Sequence, residues 1–141
     1  MILYLIEGII AYALADLLTG TYHWATDHGW NIGSQVNSFQ EHHESSEGVV
    51  FDFRPALLGL PILLLSIYWQ SMFFGVLGGS VTFCQFAHYY AHRPGKWLIK
   101  FLQRCWIILP PEHHTKHHSG DFNKNYCTLS GWNNWWLNYI L

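Results

Sequence analysis

Two apolar tracts constrain this chain more than any motif does: residues 2–22, and the run from Pro55 to Tyr90. About 20 apolar residues cross ~30 Å of hydrocarbon as a helix. The first tract fits one crossing. The second fits two, joined by a tight turn near Gln70-Ser71, with Tyr68 and Trp69 at the far interface. Lipid offers the backbone no hydrogen bonds, so such tracts must be helical or close into a barrel. Pro61 and the Gly75, Gly78, Gly79 cluster are tolerated in membrane helices. The expectation is an all-α membrane protein with about three transmembrane helices, at about 2–22, 55–69 and 72–90, in a single domain covering 1–141. Composition agrees, since 11% of residues are charged and a soluble domain carries about 25%. The net charge of −2 gives no case for nucleic acid as a partner. Cys84, Cys105 and Cys127 form no CxxC pair and suggest neither a zinc ribbon nor a disulfide framework. The first tract lacks a basic leader and a small-residue cleavage site and carries Glu7 and Asp16, so it reads as mature protein.

Against this apolar background the polar residues stand out. Asp16, Gly20, His23 and Asp27 are spaced 4, 3 and 4, one stripe of a helix. A carboxylate within a span is costly and usually faces protein, ion or water; Gly20 would let another helix come close. The polar stretch 28–54 contains Phe39-Gln40-Glu41-His42-His43-Glu44. Gln85, His88 and His92 share a face at the end of the third apolar segment. Residues 96–109 are too short to span. Lys96, Lys100 and Arg104 recur every fourth position, opposite Trp97, Leu98, Phe101, Leu102 and Cys105, which predicts an amphipathic interfacial helix. Pro110-Pro111 then stops one helix and opens another. On it His114, His117 and His118 fall at i, i+3 and i+4. The Asn- and Trp-rich tail 121–141 has no clear period and fits a membrane surface.

With three crossings, all ten His and all seven Lys and Arg reach the same membrane face. The positive-inside rule makes that face cytoplasmic. The histidines there are His23, His42, His43, His88, His92, His114, His117 and His118, from four segments. Neutral imidazole is the commonest metal ligand, and a closed zinc site uses four, so eight are enough for two metals with open positions. No HExxH motif occurs, nor the Glu-x-x-His pairs of soluble carboxylate di-iron bundles. Two histidine-bound irons, using dioxygen on an unactivated C–H bond of a lipid, fit this pattern best. A lipid hydroxylase on the same scaffold is the alternative, and a non-enzymatic membrane metal-binding protein is another. A transporter would place its ligands at mid-membrane on broken helices, whereas these gather at one face.

At Ala-Asp-Leu-Leu-Thr-Gly-Thr-Tyr-His-Trp-Ala-Thr-Asp (15–27), Phe-Gln-Glu-His-His-Glu (39–44), Phe-Ala-His-Tyr-Tyr-Ala-His (86–92), Leu-Pro-Pro-Glu-His-His-Thr-Lys-His-His (109–118) and Asn-Lys-Asn-Tyr-Cys-Thr-Leu-Ser-Gly-Trp-Asn-Asn (123–134), the chain resembles the Kua / CarF lipid desaturases. That family includes plasmanylethanolamine desaturases and plastid desaturases acting on the palmitate of phosphatidylglycerol. The resemblance implies an integral, multi-pass membrane oxidoreductase. It would place a double bond in an alkyl or acyl chain of a phospholipid, using two Fe ions and O2. Electrons would come from a carrier such as cytochrome b5 or ferredoxin. It assigns the same eight histidines to the metals, with Asp27 as ligand or as orienter of a ligand. His28 and His113 are extras, and Asp16 would order the helix behind His23. The loop after His43 is shorter than in the family, whose chains run on beyond the position of Leu141.

Overall fold

A computed structural model describes residues 1–30, 55–93, 95–119 and 123–141. Among the described residues the fold is all-helical. It comprises α1 (Ile2–Asp27), a 3-10 turn (Pro55–Leu58), α2 (Gly59–Trp69), α3 (Met72–His92), α4 (Trp97–Arg104), α5 (Pro111–Ser119) and α6 (Asn134–Ile140).

Helix α1 runs for 26 residues because its apolar run holds no proline and no break until Gly29. There the backbone turns left-handed, at φ +80°. The Gly29 N–H reaches the Thr26 carbonyl at 3.1 Å and the Trp30 N–H reaches that of Ala25 at 2.9 Å, closing the helix with a Schellman motif. Among the described residues α1 is the one helix both long and apolar enough to cross a membrane. Its first half leaves Ile2, Leu3, Leu5, Ile6, Ile9 and Ile10 exposed. Helix α2 has 11 residues, about 16 Å at 1.5 Å per residue. Helix α3 is long enough, at 21 residues, but Ser80, Thr82, Gln85, His88 and His92 dilute its apolar character.

Helices α2 and α3 form an antiparallel hairpin that turns at Gln70 and Ser71. Small residues let them touch. A methyl group on Gly59 would run into the Thr82 hydroxyl and the Gly78 carbonyl, and one on Gly78 would sit 2.7 Å from the Leu63 nitrogen. Helix α3 packs parallel to α1, with Gly8 near Met72 at one end and His23 near His88 at the other. Ala11, Ala15, Cys84 and Ala87 are fully or almost fully buried in that seam.

The amphipathic helix is shorter than the 96–109 stretch. It ends at Arg104, Trp106 takes positive φ (55°), and Ile108 and Leu109 turn inward to full burial. The larger difference is the tail. Tyr126 to Gly131 is buried, not laid on a surface. The Leu109 N–H bonds the Leu129 carbonyl at 2.8 Å. Asp16, fully buried on α1, accepts from the backbone N–H groups of Ser130 (2.8 Å), Gly131 (3.0 Å) and Asn133 (3.1 Å) and from the Asn133 amide (3.0 Å). One carboxylate therefore anchors a segment more than 100 residues away. The neighbour that Gly20 admits is also this segment and not a helix, since a Cβ there would lie 2.5 Å from Cys127 Sγ.

Candidate metal centre

Helices α1 and α3 end side by side, and α5 lies across α3. Each brings imidazoles at helical spacing, and they sort into two groups. The first is His88 and His92 from α3 with His114 and His118 from α5, both pairs at i, i+4. Their Nε2 atoms converge: His114 Nε2 lies 3.0 Å from His88, 2.8 Å from His92 and 3.0 Å from His118, and His88 lies 3.2 Å from His92. A neutral Nε2 carries one proton or one lone pair, so His114 cannot satisfy three facing nitrogens by hydrogen bonding. A cation accepting all four lone pairs can. With metal–nitrogen bonds of about 2.1 Å, neighbouring ligands sit about 3.0 Å apart at right angles and about 3.4 Å apart in a tetrahedron. The four nitrogens, with these separations of 2.8–3.2 Å, therefore stand where one ion would be held by all of them. Burial, then the charges His88, His92, His118 and His23 could carry, hold the His114 pKa well below its ordinary value. Its imidazole is therefore neutral and competent to bind metal at neutral pH.

The second group is His23 and Asp27 from α1 with His117 from α5. Asp27 Oδ2 stands 3.4 Å from both His23 Nε2 and His117 Nε2. Here the imidazoles are oriented from behind. His23 Nδ1 donates to the Tyr126 carbonyl at 3.0 Å and His117 Nδ1 to the Lys124 carbonyl at 2.6 Å. With the proton on Nδ1, the Nε2 lone pair must face Asp27, the arrangement that orients metal-binding histidines. The groups abut: ring centroids lie 5.7 Å apart for His23–His88 and 5.3 Å apart for His117–His118. The donor set, imidazoles with one carboxylate at two adjacent points, suits a pair of transition-metal ions.

Seven of the nine expected site residues therefore come together; His42 and His43 lie outside the described residues. His28 and His113 belong to neither group. His28 Nδ1 bonds the Trp24 carbonyl at 2.9 Å, and the Asn134 amide donates to His113 Nε2 at 3.0 Å. Burial, then Lys116, lowers the His113 pKa. None of the three cysteines joins a group. The tail carbonyls of Lys124 and Tyr126 were not legible in the sequence, because a backbone carbonyl leaves no residue-type signal.

A cavity of about 190 Å³ opens beside His23 between α1, α2 and α3, lined mainly by apolar groups including Leu18, Ile62 and Val81. A second groove, of about 790 Å³, borders His92.

Sequence comparison with known proteins places this chain in a family. The chain is 31% identical to fatty acid desaturase 4-like 2, chloroplastic, from Arabidopsis thaliana, over 91% of this chain and 53% of that protein. It is 29% identical to plasmanylethanolamine desaturase from Myxococcus xanthus, over 89% of this chain and 53% of that protein. With plasmanylethanolamine desaturase 1 of Mus musculus it shares 27% identity, over 96% of this chain and 60% of that protein. The chain spans about half the length of the first two relatives. No solved structure matches. The family model described as the lipid desaturase domain matches residues 12–141, from the middle of α1 through every histidine to the last residue, and the chain belongs to that family.

Proposed function

We propose that this chain is a membrane lipid desaturase domain that holds two irons and introduces a double bond into an alkyl or acyl chain of a phospholipid. The observation that carries the reading is the convergence of two abutting donor groups, His88/His92/His114/His118 and His23/Asp27/His117, where the ends of α1 and α3 meet α5. His42 and His43 would complete the ligand set. When bound, two irons would activate dioxygen, with two electrons from a carrier such as cytochrome b5 or ferredoxin and two protons from water, so that two adjacent C–H bonds become an alkene and both oxygen atoms leave as water.

The chain's own residues do the rest. The Tyr126 and Lys124 carbonyls hold the Nδ1 protons of His23 and His117, keeping both Nε2 lone pairs on the metal side. The apolar cavity beside His23 would receive a segment of lipid chain, exclude water and fix the reacting C–H bonds within reach of the cluster. The topology of this reading has three crossings, in α1, in the 3-10 turn with α2, and in α3. The helix ends that bear histidine then meet on the cytoplasmic face, where Arg93, Lys96, Lys100 and Arg104 follow α3.

Elemental analysis of the detergent-purified protein tests the reading first. Two irons per chain are expected, and His88→Ala or His117→Ala should each remove metal. Lipid mass spectrometry on the loaded protein should then show loss of two hydrogens. Gain of one oxygen would replace desaturation with hydroxylation, and zinc alone or no metal would exclude the reaction.

A further inference from the structure

The groove bordering His92 lies between the end of α3, α4 and the start of α5, and its volume of about 790 Å³ suits a ligand the size of a lipid headgroup. Its charge sets it apart from the rest of the protein. Arg93, Lys100, Arg104 and Lys116 line it against one carboxylate, Glu112. The whole chain has seven Lys and Arg and a net charge of −2, so more than half of its fixed cations line one groove. All four are exposed. Among the described residues, the side chains of Lys100, Arg104 and Lys116 make no ion pair with a carboxylate. The Arg93 guanidinium is steadied against Tyr89, 4.8 Å from the ring centroid and 3.1 Å from the hydroxyl.

The second observation is what borders these cations. On α4, Ile99 and Gln103 face the core. Lys100 and Arg104, one position on from each, take the adjacent flank, and Trp97 and Phe101 the flank beyond, 78% and 54% exposed. A free anion has no use for an apolar border. A phospholipid has, because its phosphate meets the cations while the apolar part of the molecule next to the headgroup lies beside the aromatic flank.

We propose that this groove holds the phosphate of the phospholipid substrate, with Lys100, Arg104 and Lys116 as the residues that recognise it. The proposal rests on the lipid desaturase reading and names the part of the substrate that the metal cluster does not handle. His92 is common to the groove and the four-histidine group, so a phosphate held there anchors the lipid directly beside the metals.

Calorimetric titration of the purified, metal-loaded full chain with dihexanoyl phosphatidylglycerol tests it, with dihexanoylglycerol and inorganic phosphate as comparison ligands. The phosphatidylglycerol should bind at least about ten-fold more tightly than either comparison ligand, since only it offers both groups. Each cation removed should weaken it roughly five-fold. Lys100→Gln with Arg104→Gln should therefore cost roughly 25-fold, and Lys116→Gln, on a different helix, roughly five-fold. Lys100→Arg with Arg104→Lys should restore binding. Equal affinity of the double variant and the unaltered chain overturns the proposal. Equal binding of dihexanoylglycerol removes the phosphate from recognition, and equal binding of inorganic phosphate makes the groove a free-anion site. Unchanged lipid binding with slowed reduction by an acidic iron–sulfur carrier makes it a donor-docking surface instead. Heat of binding is read without turnover, so failure here is separable from failure of the desaturase reading, which metal content and product mass decide.

Discussion

The two donor groups are built by different means. The four-histidine group is local geometry used twice. His88/His92 and His114/His118 are i, i+4 pairs, and two helix faces need only meet for four Nε2 atoms to converge. The His23/Asp27/His117 group has one such pair, and its orientation depends on the tail, whose Tyr126 and Lys124 carbonyls fix two imidazoles. The first group is made by secondary structure, the second by tertiary structure. Disturbing the tail should therefore reach the second group first.

Asp16→Ala should give the largest effect. It removes the acceptor for the backbone N–H groups of Ser130, Gly131 and Asn133 and for the Asn133 amide. Ser130 and Gly131 are buried, and leaving such donors unpaired costs about 1–3 kcal/mol each. Destabilisation of at least about 3 kcal/mol is expected in thermal or denaturant melts. At temperatures where the variant remains folded, metal content should fall toward the four-histidine group alone. Equal loss from both groups would show that the tail supports the whole cluster and that the distinction between them is false.

Gly20→Ala is a smaller disturbance of the same support. The added methyl would lie 2.5 Å from Cys127 Sγ and 3.1 Å from Cys127 Cα. Overpacking of this kind costs typically about 1–3 kcal/mol. Cys127 adjoins Tyr126, so displacement should weaken the His23 Nδ1 bond before anything on α3 moves. Histidine NMR of the metal-free protein would check this. The His23 ring signals should shift while those of His88 and His92 stay in place. A shift of all three would mean that α1 and α3 move as one body.

The same contrast explains what could be read from the sequence. The all-α class follows from the length of the apolar tracts, and the shared faces of His88/His92 and of His114/His117/His118 from periodicity, which is a property of neighbouring residues; the sorting of the histidines into two groups, which parts His117 from His114 and His118, does not. The apolar tracts follow from composition. Asp16 was visible as a buried carboxylate needing a partner, but its partners are backbone N–H groups more than 100 residues away, and backbone carries no residue code. Gly20 announced a close approach without saying to what. The tail read as surface because Asn and Trp dominate it. Its asparagines are structural instead: Asn134 accepts the Cys127 N–H at 2.8 Å, and Asn138 accepts the Asn125 N–H at 2.8 Å. Residues 105–109 would have continued an amphipathic helix by pattern. Tertiary pairing of Leu109 with Leu129 draws that stretch inward.

Acid gives the gentlest test, aimed at the four-histidine group. Burial, then His88, His92, His118 and His23, holds His114 well below its ordinary pKa. In the unfolded chain it takes up a proton near pH 6.5; in the folded, metal-free protein it does not until the pH is well below that. The unfolded state therefore binds more protons in this window. The contribution to stability is complete above pH 6.5 and is lost as pH falls toward the folded-state pKa. One such histidine gives a slope of up to about 1.4 kcal/mol per pH unit. Melts of chelator-treated protein at stepped pH should show stability level above neutrality and declining below 6.5. The decline should be smaller in His114→Leu, which has no proton to take up there. Metal bound to His114 Nε2 competes with the same proton, so the loaded protein should resist acid further and then fail abruptly as the metal leaves. A metal-free protein whose stability does not change between pH 7.5 and 5.5 would mean that the four imidazoles are open to water, and the four-histidine group would lose its claim to be the preformed half of the centre.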